Sequence, residues 1–166
     1  MRQRELVARC ERILECIPVP RPFDAEVFCD LVAAHRGRSL RLMDLPTGVG
    51  VSLPCGLWMS MDDEDVVVVD RRTSGYHQQQ IILHELGHML SGHRGRPGNG
   101  PVVDPALFPD LPAGTLQAIL GRVHYGNVEE QEAEMIASLV LARALVQGDE
   151  PAEELPGLAR GFGFGG

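Results

Sequence analysis

The stretch that most constrains this chain is His84-Glu85-Leu86-Gly87-His88, which lies in an almost uninterrupted apolar run. The apolar residues in and beside it are Ile81, Ile82, Leu83, Leu86, Met89 and Leu90, and a segment this apolar is expected to form a buried helix. Residues four apart on a helix lie one above the other, so His84 and His88 can both reach one ion. Burying two histidines and a glutamate requires a partner, and a metal ion is the simplest one.

Zinc is the expected metal, with one ion per chain, because neutral imidazole is a preferred ligand of this ion. Glu85 directly follows the first histidine, which would place its carboxylate beside the open position of the metal, as a base acting on a water. The same five-residue pattern also occurs by chance, so the alternative is a core helix that happens to carry these residues. The apolar surroundings favour the metal site.

His93 follows the motif too closely to be the third histidine of a metzincin, which has the pattern HExxHxxGxxH. That register requires glycine at position 91 and histidine at position 94, whereas this sequence has Ser91 and Arg94. His93 is therefore interpreted as a residue at the helix end or the rim of the site.

A third protein ligand is expected, because catalytic zinc usually has three of them and a water. The helix predicted from about 128 to 146 carries several candidates near its start, namely Glu129, Glu130, Glu132 and Glu134. Glu130 shares a face with Ala133 and Ala137, whose small side chains would allow close helix packing, whereas Glu132 points elsewhere. We predict Glu130 as the ligand and Glu134 as the residue that orients a ligand histidine. Considered alone, these glutamates would be assigned to a solvated face.

The remaining pattern predicts an α+β fold with one domain over 1–147. Leading helices over about 4–17 and 25–35 are followed by three extended stretches that end at Val66–Val69 and form a small, mostly antiparallel sheet. Asp62–Asp65 is expected to be a solvated hairpin tip. The glycine- and proline-rich loop over 95–114 is expected to be a lid or an insertion, and the tail over 148–166 to be poorly ordered.

Composition and charge exclude several classes of function. The formal charge of −8 argues against non-specific binding to nucleic acid or to an anionic membrane. There is no apolar run of the roughly 20 residues that a membrane span needs, and the N-terminus lacks the apolar segment of a signal peptide. The irregularly spaced cysteines are Cys10, Cys16, Cys29 and Cys55. Reduced cysteines and a cytoplasmic location are therefore expected.

The two predicted helices together resemble the ImmA/IrrE family of metallo-endopeptidases. The matching residues are His84-Glu85-Leu86-Gly87-His88 and then Glu130, Ala133, Glu134 and Ala137, and the resemblance spans roughly residues 5 to 146. It implies a zincin-like fold of the minimal gluzincin type, with the motif helix packed on a C-terminal glutamate helix. It also implies zinc bound by His84, His88 and Glu130, and cleavage of a helix-turn-helix transcriptional repressor.

The expected reaction is hydrolysis of a peptide bond, with Glu85 as the base and with His124 or Tyr125 as candidate donors to the developing oxyanion. An extended substrate is expected to pair with a strand edge, for which Val66–Val69 is the nearest candidate. The main alternative is a non-catalytic zinc-binding regulator or toxin–antitoxin component that acts by protein binding. A zinc hydrolase with a non-protein substrate stays open. A DNA-binding module is disfavoured by the acidic charge and the lack of a basic recognition helix.

Overall fold

The computed structural model describes residues 2–46, 56–94, 106, 108–109 and 125–146. Within these ranges the fold is α+β, with four helices and three strands. In chain order the elements are α1 (Gln3–Ile13), α2 (Ala25–Arg36), β1 (Ser39–Asp44), β2 (Gly56–Ser60), β3 (Glu64–Val69), α3 (Gly75–Ser91) and α4 (Asn127–Val146). The first helix ends earlier than the sequence pattern predicted. The helices predicted over about 25–35, 76–92 and 128–146 agree with α2, α3 and α4 to within one residue at each end.

Local capping explains where α2 and α3 begin and end. The Asp24 side chain accepts hydrogen bonds from the backbone N–H groups of the first turn of α2, and the Ser74 hydroxyl accepts one from the backbone of His77. Gly37 and Gly92 follow the two helices with φ angles of 66° and 69°, a left-handed conformation that glycine adopts without strain. The second of these turns has a functional consequence, because it determines where His93 lies.

The sheet is mixed, with the strand order β1-β3-β2. Strand β1 pairs with β3 in parallel, and β2 pairs with β3 in antiparallel register. The expectation of a mostly antiparallel sheet is therefore wrong for one of the two pairs, because β1 and β2 lie on opposite sides of β3. The choice of Val66–Val69 as the substrate edge is also wrong, since this strand is central and hydrogen-bonded on both sides. The edge beside α3 belongs to β2.

The central strand is buried on both faces, which is why it is an uninterrupted apolar run. Val67 and Val69 pack into the larger core with the helices, whereas Val66 and Val68 pack into a second cluster on the other face. The second cluster includes Phe108, which belongs to the loop predicted over 95–114 and is 2% exposed. The other residues of that loop, apart from Ala106 and Pro109, lie outside the described part of the chain, as do Cys55 and the segment 148–166.

The acidic segment before β3 is only partly a solvated turn. Asp62 and Asp63 are exposed, but Asp65 is 1% exposed and lies within the strand. Its carboxylate accepts hydrogen bonds from the Arg36 guanidinium at 3.0 and 3.2 Å and from the Trp58 indole at 3.1 Å, and Arg38 lies 3.4 Å away. We refer to Asp65, Arg36, Arg38 and Trp58 as the Asp65 cluster, which ties α2 to both β3 and β2.

Among the described helices, none combines the length and the apolar character needed to cross a membrane. Cys10, Cys16 and Cys29 are free thiols.

Candidate metal centre

The site is built where α3 and α4 cross in backbone contact. A Cβ atom placed on Gly87 would lie 2.7 Å from the carbonyl oxygen and 2.8 Å from the Cα atom of Ala133. Only glycine at this position of α3 allows so close an approach. Ala133 is itself fully buried, in agreement with the expectation that small residues on the last helix permit close packing. This contact brings the first turn of α4, which carries Glu130, beside the two histidines of α3.

Three potential ligand atoms converge at this crossing. The Nε2 atoms of His84 and His88 are 3.0 Å apart, and Glu130 Oε2 lies 3.2 Å from the first and 3.7 Å from the second. Together these residues form a group that could hold a metal ion. The structure thus brings together the three residues for which the sequence predicted a metal-binding role.

His88 is suited to be a ligand because it stays uncharged. It is 1% exposed, and burial, together with the neighbouring His84 and His93, lowers its pKa to about 3. A neutral imidazole retains a lone pair for a metal ion. The ring of Tyr125 stacks on His88, with the ring centroids 3.7 Å apart and an interplanar angle of 16°.

Glu85 lies beside the metal group but points to the sheet. Its carboxylate is buried, and Oε2 accepts a hydrogen bond of 2.9 Å from the backbone N–H of Trp58 in β2. Gly56 makes this approach possible, since a Cβ there would collide with the Ile81 side chain and lie 3.0 Å from the Glu85 carboxylate. Burial raises the pKa of Glu85 to about 7, with a further rise from Glu130, while the Trp58 N–H opposes the shift. Such a carboxylate can take up and release a proton near neutral pH.

His93 lies directly beyond the end of α3, as one of the two predicted alternatives has it, but it is buried and does not lie at the rim of the site. It is 6% exposed, and its Nδ1 lies 2.9 Å from Nδ1 of His88. Its Nε2 lies 3.0 Å from Oε2 of Glu132, and the other oxygen of Glu132 lies 2.5 Å from Nε of Arg9 in α1. We refer to His88, His93, Glu132 and Arg9 as the His88 network. It links a potential metal ligand to three elements of the fold.

The partner predicted for a ligand histidine is also wrong. Glu134 is exposed and lines the cleft, whereas Glu132 is 2% exposed and lies behind His88. Helix α4 is rotated so that Glu132 joins the buried stripe formed with Ile136 and Val140. The spacing of these three residues, each four from the next, is the sequence signal that could have identified Glu132, since it is a carboxylate in register with core positions.

A cleft with a volume of about 550 Å³ opens over the metal group. Its apolar wall includes Ile81, Ala137 and Leu141, and its polar lining includes His77, Glu134 and Tyr125. Burial raises the pKa of Tyr125, and the charges of Glu85, Glu130 and Glu129 raise it further, so the hydroxyl keeps its proton and can act as a donor. The other predicted donor, His124, lies outside the described residues.

Neither a comparison with protein-family models nor a search of curated proteins finds a match for this chain. The features that indicate a function are the metal group of His84, His88 and Glu130, the adjacent Glu85 and the cleft above them.

Proposed function

We propose that this protein is a zinc-dependent endopeptidase with a zincin-like fold of the gluzincin type. The observation that carries the proposal is the convergence of His84, His88 and Glu130 at one point, with the buried carboxylate of Glu85 next to it. A metal site that only stabilises the fold does not require a neighbouring base with a raised pKa, such as Glu85. The resemblance to the ImmA/IrrE family, made on the same residues, supports the same reaction.

The donor set and its spacing fit zinc. Two imidazole nitrogens and one carboxylate oxygen are a ligand set of catalytic zinc sites, in which a fourth position stays open. Ligands at about 2.0–2.1 Å from a tetrahedral centre lie about 3.3–3.4 Å from one another. The three distances between the donor atoms are 3.0, 3.2 and 3.7 Å. Their mean is therefore close to what one zinc ion per chain requires, with only small side-chain adjustment.

Zinc held by His84, His88 and Glu130 would supply a Lewis acid, which would polarise the substrate carbonyl and lower the pKa of a water so that it can lose a proton near neutral pH. In this reaction Glu85 accepts the proton of the attacking water and later delivers it to the leaving amine. The Trp58 backbone N–H holds the Glu85 carboxylate in place through the 2.9 Å hydrogen bond. Tyr125, whose hydroxyl stays protonated, is the candidate donor to the developing oxyanion.

The edge of β2 is the proposed docking site for an extended substrate. The Trp58 N–H points to Glu85, away from β3, so the side of this strand that does not pair with β3 faces α3 and the cleft. Because the Trp58 N–H is bonded to Glu85, a peptide would pair with other backbone groups of this edge. It would gain main-chain hydrogen bonds without its sequence being recognised, and the cleft would select side chains. We propose a helix-turn-helix repressor of the cytoplasm as the substrate, cut in a linker that can extend, because a folded helix cannot lie along a strand edge.

The proposal is tested by incubating the zinc-loaded protein with a candidate helix-turn-helix repressor. One or two discrete fragments are expected, and they should be absent with a chelator or with Glu85→Gln. Casein should be cut poorly under the same conditions. A stable complex with intact repressor would instead support the non-catalytic regulator, and efficient digestion of casein would contradict a dedicated substrate.

A further inference from the structure

We propose that His93 and Glu132 are positioning residues which hold His88 in the single tautomer that can bind a metal ion, and that Arg9 anchors them from α1. This inference rests on the proposed zinc site and concerns how that site is maintained. Neither His93 nor Glu132 belongs to the ligand group, and neither lines the cleft. They lie behind the ligand, in the part of the core where α1, α3 and α4 meet.

The geometry determines the position of each proton. A metal ion at Nε2 of His88 requires the proton of that ring to be on Nδ1. Nδ1 of His88 lies 2.9 Å from Nδ1 of His93, which must therefore be the acceptor. The proton of His93 is then on Nε2, from which it donates to Oε2 of Glu132 at 3.0 Å. A carboxylate without a proton can only accept, so Glu132 sets the direction of both hydrogen bonds.

The opposite arrangement would block the metal site. If His93 carried its proton on Nδ1, it would donate to His88, and the proton of His88 would have to move to Nε2. That nitrogen would then have no lone pair for a metal ion. Glu132 disfavours this state because its buried carboxylate would lose the donor that faces Oε2.

Burial makes this preference strong. His88, His93 and Glu132 are 1%, 6% and 2% exposed, so water cannot readily replace a lost partner. A buried carboxylate is costly unless it is paired. Arg9 supplies the charge, at 2.5 Å from the second oxygen of Glu132, and it comes from a helix that is distant in sequence. The thiol of Cys10 lies 3.8 Å from the backbone oxygen of Glu132, which further attaches α1 to this point.

A simpler role for the His88 network would be to fix α1 onto α4. Both roles predict a loss of stability on substitution, so stability alone does not distinguish them. The tautomers and the zinc affinity do distinguish them, because an ion pair that only joins helices has no influence on which nitrogen of His88 is protonated.

The first test uses the unmodified full chain, labelled with ¹⁵N and loaded with zinc. Long-range ¹H–¹⁵N correlation spectra identify the protonated nitrogen of each histidine ring. The proposal requires the Nδ1–H tautomer for His88 and the Nε2–H tautomer for His93, with both protons slow to exchange. A spectrum in which His93 carries its proton on Nδ1 would overturn the proposal.

The second test measures zinc affinity by competition with a chelator, and includes variants that differ in what they can donate and accept. Loss of a residue that orients a metal ligand typically lowers metal affinity about 10- to 100-fold. His93→Phe should lie near the upper end of this range. His93→Gln should bind zinc more tightly than His93→Phe, since an amide can still accept from His88 and donate to Glu132. If the His93 ring only filled space, the Phe variant would instead bind zinc more tightly than the Gln variant.

Glu132→Gln should weaken zinc binding toward the lower end of that range, because its amide can still accept from His93 but has lost the charge. The matched control is Glu11→Gln, which removes the same charge from an exposed position of α1 and should leave zinc affinity unchanged. Arg9→Gln should have a smaller effect than Glu132→Gln, with exposed Arg12→Gln as its control. Folding of each variant is checked by circular dichroism. Losses below about tenfold in both folded His93→Phe and folded Glu132→Gln would overturn the proposal.

These readouts separate the inference from the proposed reaction. Correct tautomers and weakened zinc binding in the variants, without hydrolysis of any peptide, would uphold the positioning role and contradict the endopeptidase. Hydrolysis by a protein in which His93 carries its proton on Nδ1 would uphold the endopeptidase and contradict the positioning role.

Discussion

Two buried carboxylates in this protein are each held by arginine and have different roles. Asp65 is surrounded by Arg36, Arg38 and the Trp58 indole, which are all permanent donors. Glu132 faces Arg9 on one side and His93 on the other, and a histidine ring can exchange donor and acceptor positions. The Asp65 cluster is thus a closed structural unit, whereas the His88 network ends at a potential metal ligand. These two sites show that the kind of partner, more than the degree of burial, distinguishes a carboxylate with a structural role from one with a functional role.

The largest effect is expected at the metal group itself. Glu130→Ala should lose most of the bound zinc and with it all hydrolysis, because it removes one of three donor atoms. Metal analysis of the purified protein checks this, with Glu11→Ala as the control at an exposed position of α1. Full zinc occupancy in Glu130→Ala would show that another glutamate is the third ligand. It would also contradict the metal group on which the functional role of the His88 network depends.

Glu85→Gln should separate metal binding from chemistry. The amide keeps the shape of the side chain but cannot take a proton, so the rate should fall by about 10²–10⁴-fold, the usual contribution of a general base. Zinc content and thermal stability should stay close to those of the unsubstituted protein. Peptide cleavage and metal analysis are measured on the same preparation. An unimpaired Glu85→Gln enzyme would disprove the proposed mechanism.

Asp65→Ala tests whether the Asp65 cluster has a structural role only. Removing the buried carboxylate takes the charged acceptor from Arg36 and Arg38, which keep backbone carbonyl acceptors, and the free energy of unfolding should fall by about 3–5 kcal/mol. The affinity for zinc should be unchanged at temperatures where the variant is folded. Urea denaturation and chelator competition provide the two measurements. Weaker zinc binding by the folded variant would show that the two regions are coupled through β2.

The smallest expected effect is that of Trp58→Phe. The substitution removes the 3.1 Å hydrogen bond from the indole to Asp65 but leaves the backbone N–H that contacts Glu85. Loss of one donor to a buried carboxylate should cost about 1–3 kcal/mol of unfolding free energy. Urea denaturation with and without zinc should show the same decrease. A decrease that appears only with zinc would place Trp58 in the metal site rather than in the structural cluster.

Features that depend on interactions between neighbours in the chain could be predicted from the amino-acid sequence. Repetition of apolar residues predicted α2, α3 and α4 closely, because hydrogen bonding within a helix involves neighbours in the chain. The spacing of His84 and His88 placed both rings on one face for the same reason. Glu130 could be selected because Ala133 and Ala137 lie along its side of the helix, and the structure places its carboxylate beside both rings.

Other features depend on contacts between segments that are distant in the chain, and these are set by the tertiary structure. The close packing of Gly87 on Ala133 determines the rotation of α4, and this rotation buries Glu132 and exposes Glu134. Strand order made β3 central and β2 the edge, although the composition of Val66–Val69 is compatible with either position. The role of His93 required Glu132 of α4 to meet its ring and Arg9 of α1 to meet Glu132, and no periodicity within one segment encodes such contacts.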